Sequence, residues 1–298
     1  MKPNRIPFGR TTTRWSVLCF VAATALGLVP SASAKTHLKI SAIGAAIDGY
    51  ENWTSSGPWS DIQSFKNANA SRPVVDLVLE LQALKAGGLD FDFELVRTAT
   101  HELAQEQVID GHADLAAETT WSDEIDANSD KLLKTDAVIR DGEFVKGIYV
   151  MPSDQEHLKI SSLDDLRGCV GAVVSTWSHD ARCVDGMKLK GVVRTVTPEI
   201  AFLQIQRHAA DFTLAEFSSN PDLHVELRGV VLIPVPKRTV AIRGSRSWIV
   251  SKSSQDSDAV YKALEAGTIV LRNNGTIERA YKESGFLNPR VSDWTRIY

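Results

Sequence analysis

"HELAQEQVIDGHADLAAE" (residues 101–118) is a helical pattern followed by a turn and a short apolar strand pattern that ends at Glu118. Leu103 and Val108 lie on the apolar side of the helix, and Thr100 is a suitable N-cap. A second stretch, "EIAFLQIQRHAADFTLAE" (199–216), has the same order of patterns. We interpret the two stretches as ordinary helix–strand units of two similar α/β lobes and claim no sequence repeat.

Strand and helix patterns alternate outward from these two units. Strand patterns fall at 37–44, 91–97, 169–175 and 191–196, and helix patterns fall at 72–88, 179–188 and 198–208. Such βαβ order predicts an α/β fold with a parallel-rich sheet in each lobe. Two stretches are expected to pass between the lobes, 142–154 on the way out and 245–254 on the way back.

The N-terminal residues 1–34 have the composition of a secretory signal peptide. Four basic residues and no acid precede an uncharged apolar run at 15–30, and Ala32-Ser33-Ala34 fits the small-x-small rule for cleavage before Lys35. The alternative is a membrane anchor, although the run is shorter than the roughly 20 apolar residues that a spanning helix needs. We therefore expect an exported protein located in the periplasm.

The overall charge and the motifs limit the possible functions. The formal net charge is −4, which does not favour nucleic acid or an anionic membrane as a partner. The sequence contains no nucleophile elbow, zinc-spaced His pair, P-loop or Cys-x-x-Cys, so we expect no catalytic residue, metal or cofactor. The alternative is an enzyme in which Glu118, Glu216 and His179 meet in a cleft and carry out acid/base chemistry.

Two cysteines remain once residues 1–34 are set aside, Cys169 and Cys183. An even pair in an exported protein indicates a disulfide, and a helix running back along the strand that Cys169 opens would bring Cys183 close to it. A bridge over so short a loop would stabilise the fold by about 3 kcal/mol. Two inert buried thiols are the alternative.

Taken together, these motifs resemble the solute-binding proteins of polar amino acid importers. The resemblance rests on the leader, "RPVVDLVLELQALKAGG" (72–88), "IDGHADLAAETTWSDE" (109–124), "LKISSLDDLRGCVGAVVSTWS" (158–178) and "HAADFTLAEF" (208–217). It implies a two-lobed periplasmic-binding-protein-like fold of type II with two hinge crossings. Lobe 1 is then expected at 35–147, lobe 2 at 148–247, and a return to lobe 1 with a C-terminal tail at 248–298.

The resemblance also implies where a ligand binds. The carboxyl ends of strands face the ligand crevice in such sheets, so Thr119, Thr120 and Trp121 would contact a ligand's carboxylate. Simple capping of the next helix by Thr120 or Ser122 is the alternative. An arginine normally follows this segment in the family, but here "SDEID" does. A carboxylate-bearing ligand would then need another partner, such as Arg72 or the turn at 175–180.

The second lobe keeps the family's acid. "DFTLAE" places Glu216 where the resemblance implies a partner for the ligand's ammonium group. In the turn "STWSHD" (175–180), Thr176 and Ser178 are candidates for binding an anion at a helix start, with capping as the alternative. Trp177 is a candidate for stacking on a cationic or flat ligand.

An aromatic loop is expected after the first strand. "DGYENWTSSGPWS" (48–60) contains Tyr50, Trp53 and Trp59, and the resemblance implies an aromatic wall for the ligand here. The expected function is therefore that of a monomeric solute-binding protein, which captures a small polar, amine-containing ligand for the membrane permease of an ABC transporter. Alternatives are a periplasmic sensor or accessory module without transport, or a dehydratase-like enzyme on the same fold.

Overall fold

Strands and helices alternate through residues 35–298, as the sequence pattern predicts. The computed structural model describes residues 1, 3, 4, 9, 35–218 and 220–298. The expected signal peptide, residues 1–34, lies almost wholly outside the described residues, whereas Lys35–Tyr298 is a unit of its own. None of the helices found in the described residues is long and apolar enough to cross a membrane.

The secondary structure of the described residues has the following bounds. The strands are β1 (Thr36–Ile43), β2 (Phe91–Thr98), β3 (Leu115–Ala116), β4 (Thr120–Trp121), β5 (Leu132–Lys134), β6 (Val145–Val150), β7 (Val170–Val174), β8 (Gly191–Thr195), β9 (Phe212–Ala215), β10 (Val225–Leu227), β11 (Val230–Ala241), β12 (Arg246–Ser247), β13 (Ile249–Ser251) and β14 (Thr295–Arg296). The helices are α1 (Gly44–Thr54), α2 (Arg72–Ala86), α3 (His101–Ile109), α4 (Ser122–Ala127), α5 (Gln155–Leu158), α6 (Leu163–Arg167), α7 (Ser178–Gly186), α8 (Pro198–Gln206), α9 (Ser257–Asn273) and α10 (Thr276–Glu283). Two short 3-10 helices are at Trp59–Asp61 and Pro289–Val291.

The strands form two main sheets, one for each expected lobe. The first sheet has the order β2-β1-β3-β13-β5, with β1 parallel to both β2 and β3. The second has the order β10-β11-β6-β9-β7-β8, with β7 parallel to both β8 and β9. The parallel strands of both sheets come from βαβ units, so the α/β prediction is confirmed.

Two segments cross between the sheets. Residues 135–144 lead from β5 to β6, and residues 242–248 lead from β11 back to β13. The two crossings lie side by side, because Ile242 N donates to Phe144 O at 2.9 Å and Arg246 N donates to Ile139 O at 2.8 Å. A further crossing was not predicted. The C-terminal strand β14 returns to the second sheet and pairs in parallel with β11.

Helix α2 is buried on nearly all sides and fixes the position of the first lobe's functional residues. Ser71 precedes it, Pro73 suits its first turn, and Gly87 follows its last residue, Ala86. Its long contact with α9 depends on glycine, because a Cβ at Gly267 would lie 1.8 Å from the carbonyl oxygen of Ala83. Two acids on this helix, Asp76 and Glu80, are fully buried.

The predicted disulfide is wrong, because Cys169 and Cys183 are both free, buried thiols. Helix α7 does pack against β7, but the two sulfur atoms face different elements. Cys169 Sγ contacts the carbonyl oxygen of Asp165 at 3.5 Å, whereas Cys183 Sγ contacts that of Ala241 at 4.0 Å. Burial raises the pKa of both thiols, that of Cys183 to about 12. The alternative of two inert buried thiols is the one that the structure supports.

Candidate functional site

Arg72 is the centre of an ion-pair cluster that joins the two lobes. It opens α2, while Glu118 follows β3 in the first sheet and Glu216 follows β9 in the second. Its guanidinium nitrogens lie 3.1 Å from Asp76 Oδ2, 3.3 Å from Glu118 Oε2 and 3.2 Å from Glu216 Oε1. Glu118 and Glu216, which end the two helix–strand units of the sequence, therefore share Arg72.

Electrostatics hold this cluster in its charged form. Burial disfavours the charge on Arg72, but the carboxylates of Glu216, Asp76 and Glu118 outweigh it and raise the arginine's pKa. Burial likewise opposes ionisation of Glu118. Against that, the His101 ring, whose Nδ1 lies 3.5 Å from Glu118 Oε2, and the two guanidinium groups of Arg72 and Arg246 lower the pKa of Glu118 to about 2. Both groups are thus charged at neutral pH.

A second buried arginine, Arg246 of β12, lies behind the segment 119–121. Its Nε donates to Thr119 Oγ1 at 3.1 Å, and a terminal nitrogen donates to the Thr119 carbonyl oxygen. Its guanidinium also lies 4.7 Å from the ring centroid of Trp121, a cation–π geometry. Burial, and then repulsion from Arg72, lower the pKa of Arg246 to about 10. The arginine that the family resemblance leads one to expect after residue 121 is absent, and Arg246 lies beside this segment from the returning chain. Arg246, however, contacts protein groups.

The threonines of the expected carboxylate site are used inside the protein. Both the backbone N–H and the hydroxyl of Thr119 donate to Asp76 Oδ2 at 3.1 Å. Thr120 Oγ1 accepts from Gln105 Nε2 at 3.1 Å, and both threonines are buried. Asp76 also accepts from the buried Tyr281 hydroxyl at 2.6 Å. These groups shape the first lobe's edge of the site and keep their hydroxyls away from solvent.

Residues 121–124 contact the first turns of α7 in the second lobe. The rings of Trp121 and His179 are stacked, with centroids 3.7 Å apart and an interplanar angle of 14°. Asp123 Oδ1 lies 2.8 Å from His179 Nε2, and Ser178 Oγ donates to Glu124 Oε1 at 2.6 Å. The predicted anion-binding hydroxyl of Ser178 is therefore bound by an acid of the first lobe.

Trp177 and Thr176 remain at the surface of the second lobe. Trp177 is 39% exposed, and the Lys146 ammonium lies 4.8 Å from its ring centroid. Lys146 is itself buried and donates to Asp180 Oδ1 at 2.6 Å. Thr176 is exposed at the end of β7. Trp177 thus packs on the ammonium of the Lys146–Asp180 pair, with part of its ring open to solvent.

Residues 48–54 of the expected aromatic loop belong to helix α1, and Trp59 opens a short 3-10 helix. Residues 44–54 form α1 because their buried positions, including Tyr50 and Trp53, recur at helical spacing. Trp53 packs edge-to-face on Phe65 at 5.7 Å, and Trp59 stacks on Phe91 at 5.9 Å. The structure therefore does not bring Trp53 or Trp59 to the Arg72 cluster.

Two cavities meet at Glu216. The first, the apolar cavity, has a volume of about 470 Å³ and lies within the second lobe. The second, the polar cavity, has a volume of about 560 Å³ and lies between residues 66–72, 216–218 and 283–286. Glu216 and Ser218 line both. The cluster's carboxylate from the second lobe is therefore accessible from two sides.

His179 has partners other than Glu118 and Glu216, the two acids of the enzyme alternative. His179 bonds to Asp123 and to the Arg243 carbonyl oxygen, while Glu118 is paired with Arg72. Of the three residues of the enzyme alternative, Glu118 and Glu216 thus share Arg72, whereas His179 pairs with Asp123. Within the described residues, no group of three or more His, Cys, Asp or Glu side chains is arranged to hold a metal ion.

Comparison with known proteins identifies the fold. Neither a family model nor a curated protein matches the sequence. The second substrate-binding domain of GlnP from Lactococcus lactis, in an open conformation, is 13% identical and has a TM-score of 0.51, over 84% of this chain and 96% of that one. The second substrate binding domain of a putative amino acid ABC transporter from Streptococcus pneumoniae is 14% identical, with a TM-score of 0.50, over 84% of this chain and 99% of that one.

A third similar structure is also that of a periplasmic domain. The periplasmic domain of BvgS from B. pertussis is 15% identical, with a TM-score of 0.50, over 87% of this chain and 44% of that one. These similarities confirm the two-lobed, periplasmic-binding-protein-like fold that the sequence motifs predict.

Proposed function

We propose that this protein is a periplasmic solute-binding protein whose ligand carries an amine that binds to Glu216. The fold supports the general role, because similar structures are named as substrate-binding domains of transporters. Sites of this kind lie outside the carboxyl ends of strands, and Glu216 directly follows β9.

The exposure of Glu216 is the observation that carries the proposal. Of the three carboxylates around Arg72, the side chains of Asp76 and Glu118 are 0% and 4% exposed, whereas that of Glu216 is 38% exposed. An added ammonium group would therefore form a charge-assisted hydrogen bond with an acid that is accessible to a ligand.

In the proposed mechanism, the ligand's ammonium approaches Glu216 from one of the two cavities. Arg72 contacts Oε1 of this carboxylate, and the ligand shares the carboxylate or replaces the arginine, which keeps Asp76 and Glu118 as partners. Binding favours the closed arrangement of the lobes only by its higher affinity for that arrangement. A membrane permease that recognises the closed arrangement is the proposed partner, with the hinge bending at residues 135–144 and 242–248.

The test is a thermal-unfolding screen of the purified protein. The compounds are basic, neutral and acidic amino acids, polyamines, betaines, sugars and small organic acids. A ligand present at 100 times its dissociation constant adds about 2.7 kcal/mol of stability, which is readily seen as a higher melting temperature. We expect the shift to be confined to compounds that carry an amine. A shift with sugars or organic acids alone would contradict the proposal.

A further inference from the structure

Glu216 borders two cavities, and the surroundings of each define which kind of amine it would accept. The choice between the two cavities rests on the proposed function, because both cavities give access to the same carboxylate. The apolar cavity lies on the second lobe's side of Glu216, and the polar cavity lies on the Arg72 side.

The polar cavity is a poor environment for a cation. Lys66 and Arg72 both line it, so a ligand ammonium there would approach two positive charges. The other acid in its wall, Glu283, already accepts from the Phe65 backbone N–H at 2.7 Å and from the Ser64 hydroxyl at 3.2 Å. A ligand amine on this side would meet the acids Glu216 and Glu283 but also the cations Lys66 and Arg72, so it would gain no net attraction.

The apolar cavity has the opposite balance of charge. Lys146 is the one lysine or arginine among the described residues that line it, and Asp180 pairs with its ammonium at 2.6 Å. Of the two acids in the lining, Glu216 keeps its contact with Arg72, which is not part of this lining, and Glu226 has no ion pair among the described residues. A cationic group is therefore favoured here, whereas a ligand carboxylate would meet two acids and a lysine that is already neutralised.

The remaining walls of this cavity are mainly hydrophobic. They include the aliphatic and aromatic side chains Val174, Trp177, Pro198, Phe202, Leu214 and Leu227. A volume of about 470 Å³ is typical of small-molecule sites, in which apolar walls supply affinity and a few polar groups supply orientation. A small polar ligand such as ammonium or a short diamine would leave these walls without contacts.

From this arrangement we infer that the ligand is a monoamine with an apolar or aromatic body and no free carboxylate, seated in the apolar cavity. Its ammonium group binds Glu216, and its body packs between Trp177 and Phe202. This ligand class also explains why the threonines of residues 119–120 need no ligand carboxylate as a partner.

Isothermal titration with three probes tests the chemistry: 2-phenylethylamine, phenylalanine and ethylamine. Phenylalanine adds a carboxylate to the first probe, and ethylamine removes its ring. We expect 2-phenylethylamine to bind about tenfold or more tightly than either of the other two. Phenylalanine would bring its carboxylate close to the acids of the cavity, and ethylamine would lose the contacts between the ring and the apolar walls. Equal binding of phenylalanine would overturn the inference.

A matched pair of variants tests the location. Ala201→Leu fills part of the apolar cavity, and Ala68→Leu makes the same change in the lining of the polar cavity. Affinity for 2-phenylethylamine should fall about tenfold in the first variant and stay within about twofold in the second, since a leucine side chain takes the space of the ligand's ring. Thermal melting confirms that both variants are folded.

The outcomes separate this inference from the proposed function. Weaker binding in Ala68→Leu but not in Ala201→Leu would move the site to the polar cavity and overturn the inference, while Glu216 would keep its role. Tight binding of polar amines without any binding of 2-phenylethylamine would also overturn the inference and leave Glu216 its role. Failure of every amine, whether polar or aromatic, would contradict both proposals.

Discussion

Replacement of Glu118 by glutamine should reveal how strongly the buried cluster stabilises the fold. The Glu118 carboxyl has a pKa of about 2 in the folded protein against an ordinary value of 4.5. At about 1.4 kcal/mol per pKa unit, ionised Glu118 contributes about 3 kcal/mol to stability at neutral pH. Glu118→Gln keeps the shape and removes the charge, so it should lower the free energy of unfolding by about this amount.

The loss of stability in the Glu118→Gln variant should depend on pH. Because the pKa of Glu118 is lower in the folded state, its contribution is complete above about pH 5 and disappears as the pH falls toward 2. Urea unfolding of both proteins at several pH values measures this directly. The difference in the free energy of unfolding should be about 3 kcal/mol at pH 7 and should shrink steadily between pH 5 and pH 2.

An exposed acid provides the control. Glu94 lies on β2 with about half its side chain exposed and pairs with Lys39 at 3.5 Å, so Glu94→Gln should change stability by less than about 1 kcal/mol. A Glu118→Gln protein as stable as the original at pH 7 would refute the electrostatic reasoning. A loss of the same size at pH 3 and pH 7 would also refute it, because the effect would then come from packing alone.

Three further predictions concern buried groups outside the Glu216 carboxylate. Cys169 and Cys183 should resist a thiol reagent in the folded protein and react with it after unfolding. A reducing agent should leave the melting temperature unchanged, and a lower melting temperature on reduction would indicate a disulfide instead. Lys146→Met should lower the free energy of unfolding in urea by about 3–5 kcal/mol, because it leaves Asp180 buried and unpaired. The double variant Lys146→Met/Asp180→Leu should recover most of this loss. No recovery would mean that the broken ion pair is not the cause of the loss. Arg246→Lys should lose about 1–3 kcal/mol, since lysine lacks the planar fork that bonds the buried segment 119–121, and an unchanged free energy of unfolding would argue against these bonds.

The sequence predicted the elements of the fold well because their signals are local. The strand at 191–195 follows from its β-branched residues, and the helix that begins after Thr197 follows from a cap and a proline. Alternation of these elements was enough to predict two α/β lobes. The C-terminal strand β14 was missed because it is two residues long and pairs with a strand more than fifty residues away.

The candidate site was predicted only in part, since its partners come from distant segments. Glu216 and Arg72 were both proposed, but their direct contact joins a helix of the first lobe to a strand end of the second sheet, 144 residues apart in the sequence. Asp76 was missed although it gave a signal, an acid within the apolar run "RPVVDLVLELQ". Arg246 gave a weaker signal, an arginine next to a buried strand. Such charges need a buried partner, and the sequence does not identify it.

The errors have equally physical causes. The aromatic loop was predicted from three rings among glycines and serines, but tertiary packing against Phe65 and Phe91 overrides that composition. The disulfide was predicted from pairing and compartment, but side-chain direction decides whether two sulfurs meet. Cys183 faces β11, whereas Cys169 faces the end of α6.

The central claim is that the charge of Glu216 anchors the ligand's amine, and the affinity of a Glu216→Gln variant tests it most directly. The measurement is isothermal titration of the best-binding amine from the screen into the original protein and into this variant at pH 7. A hydrogen bond to a charged group contributes about 1.5–3 kcal/mol, so the account predicts a loss of affinity of about 10- to 100-fold. Melting should confirm that the variant is folded, because Arg72 keeps Asp76 and Glu118 as partners. An affinity that stays the same in a folded variant would contradict the account.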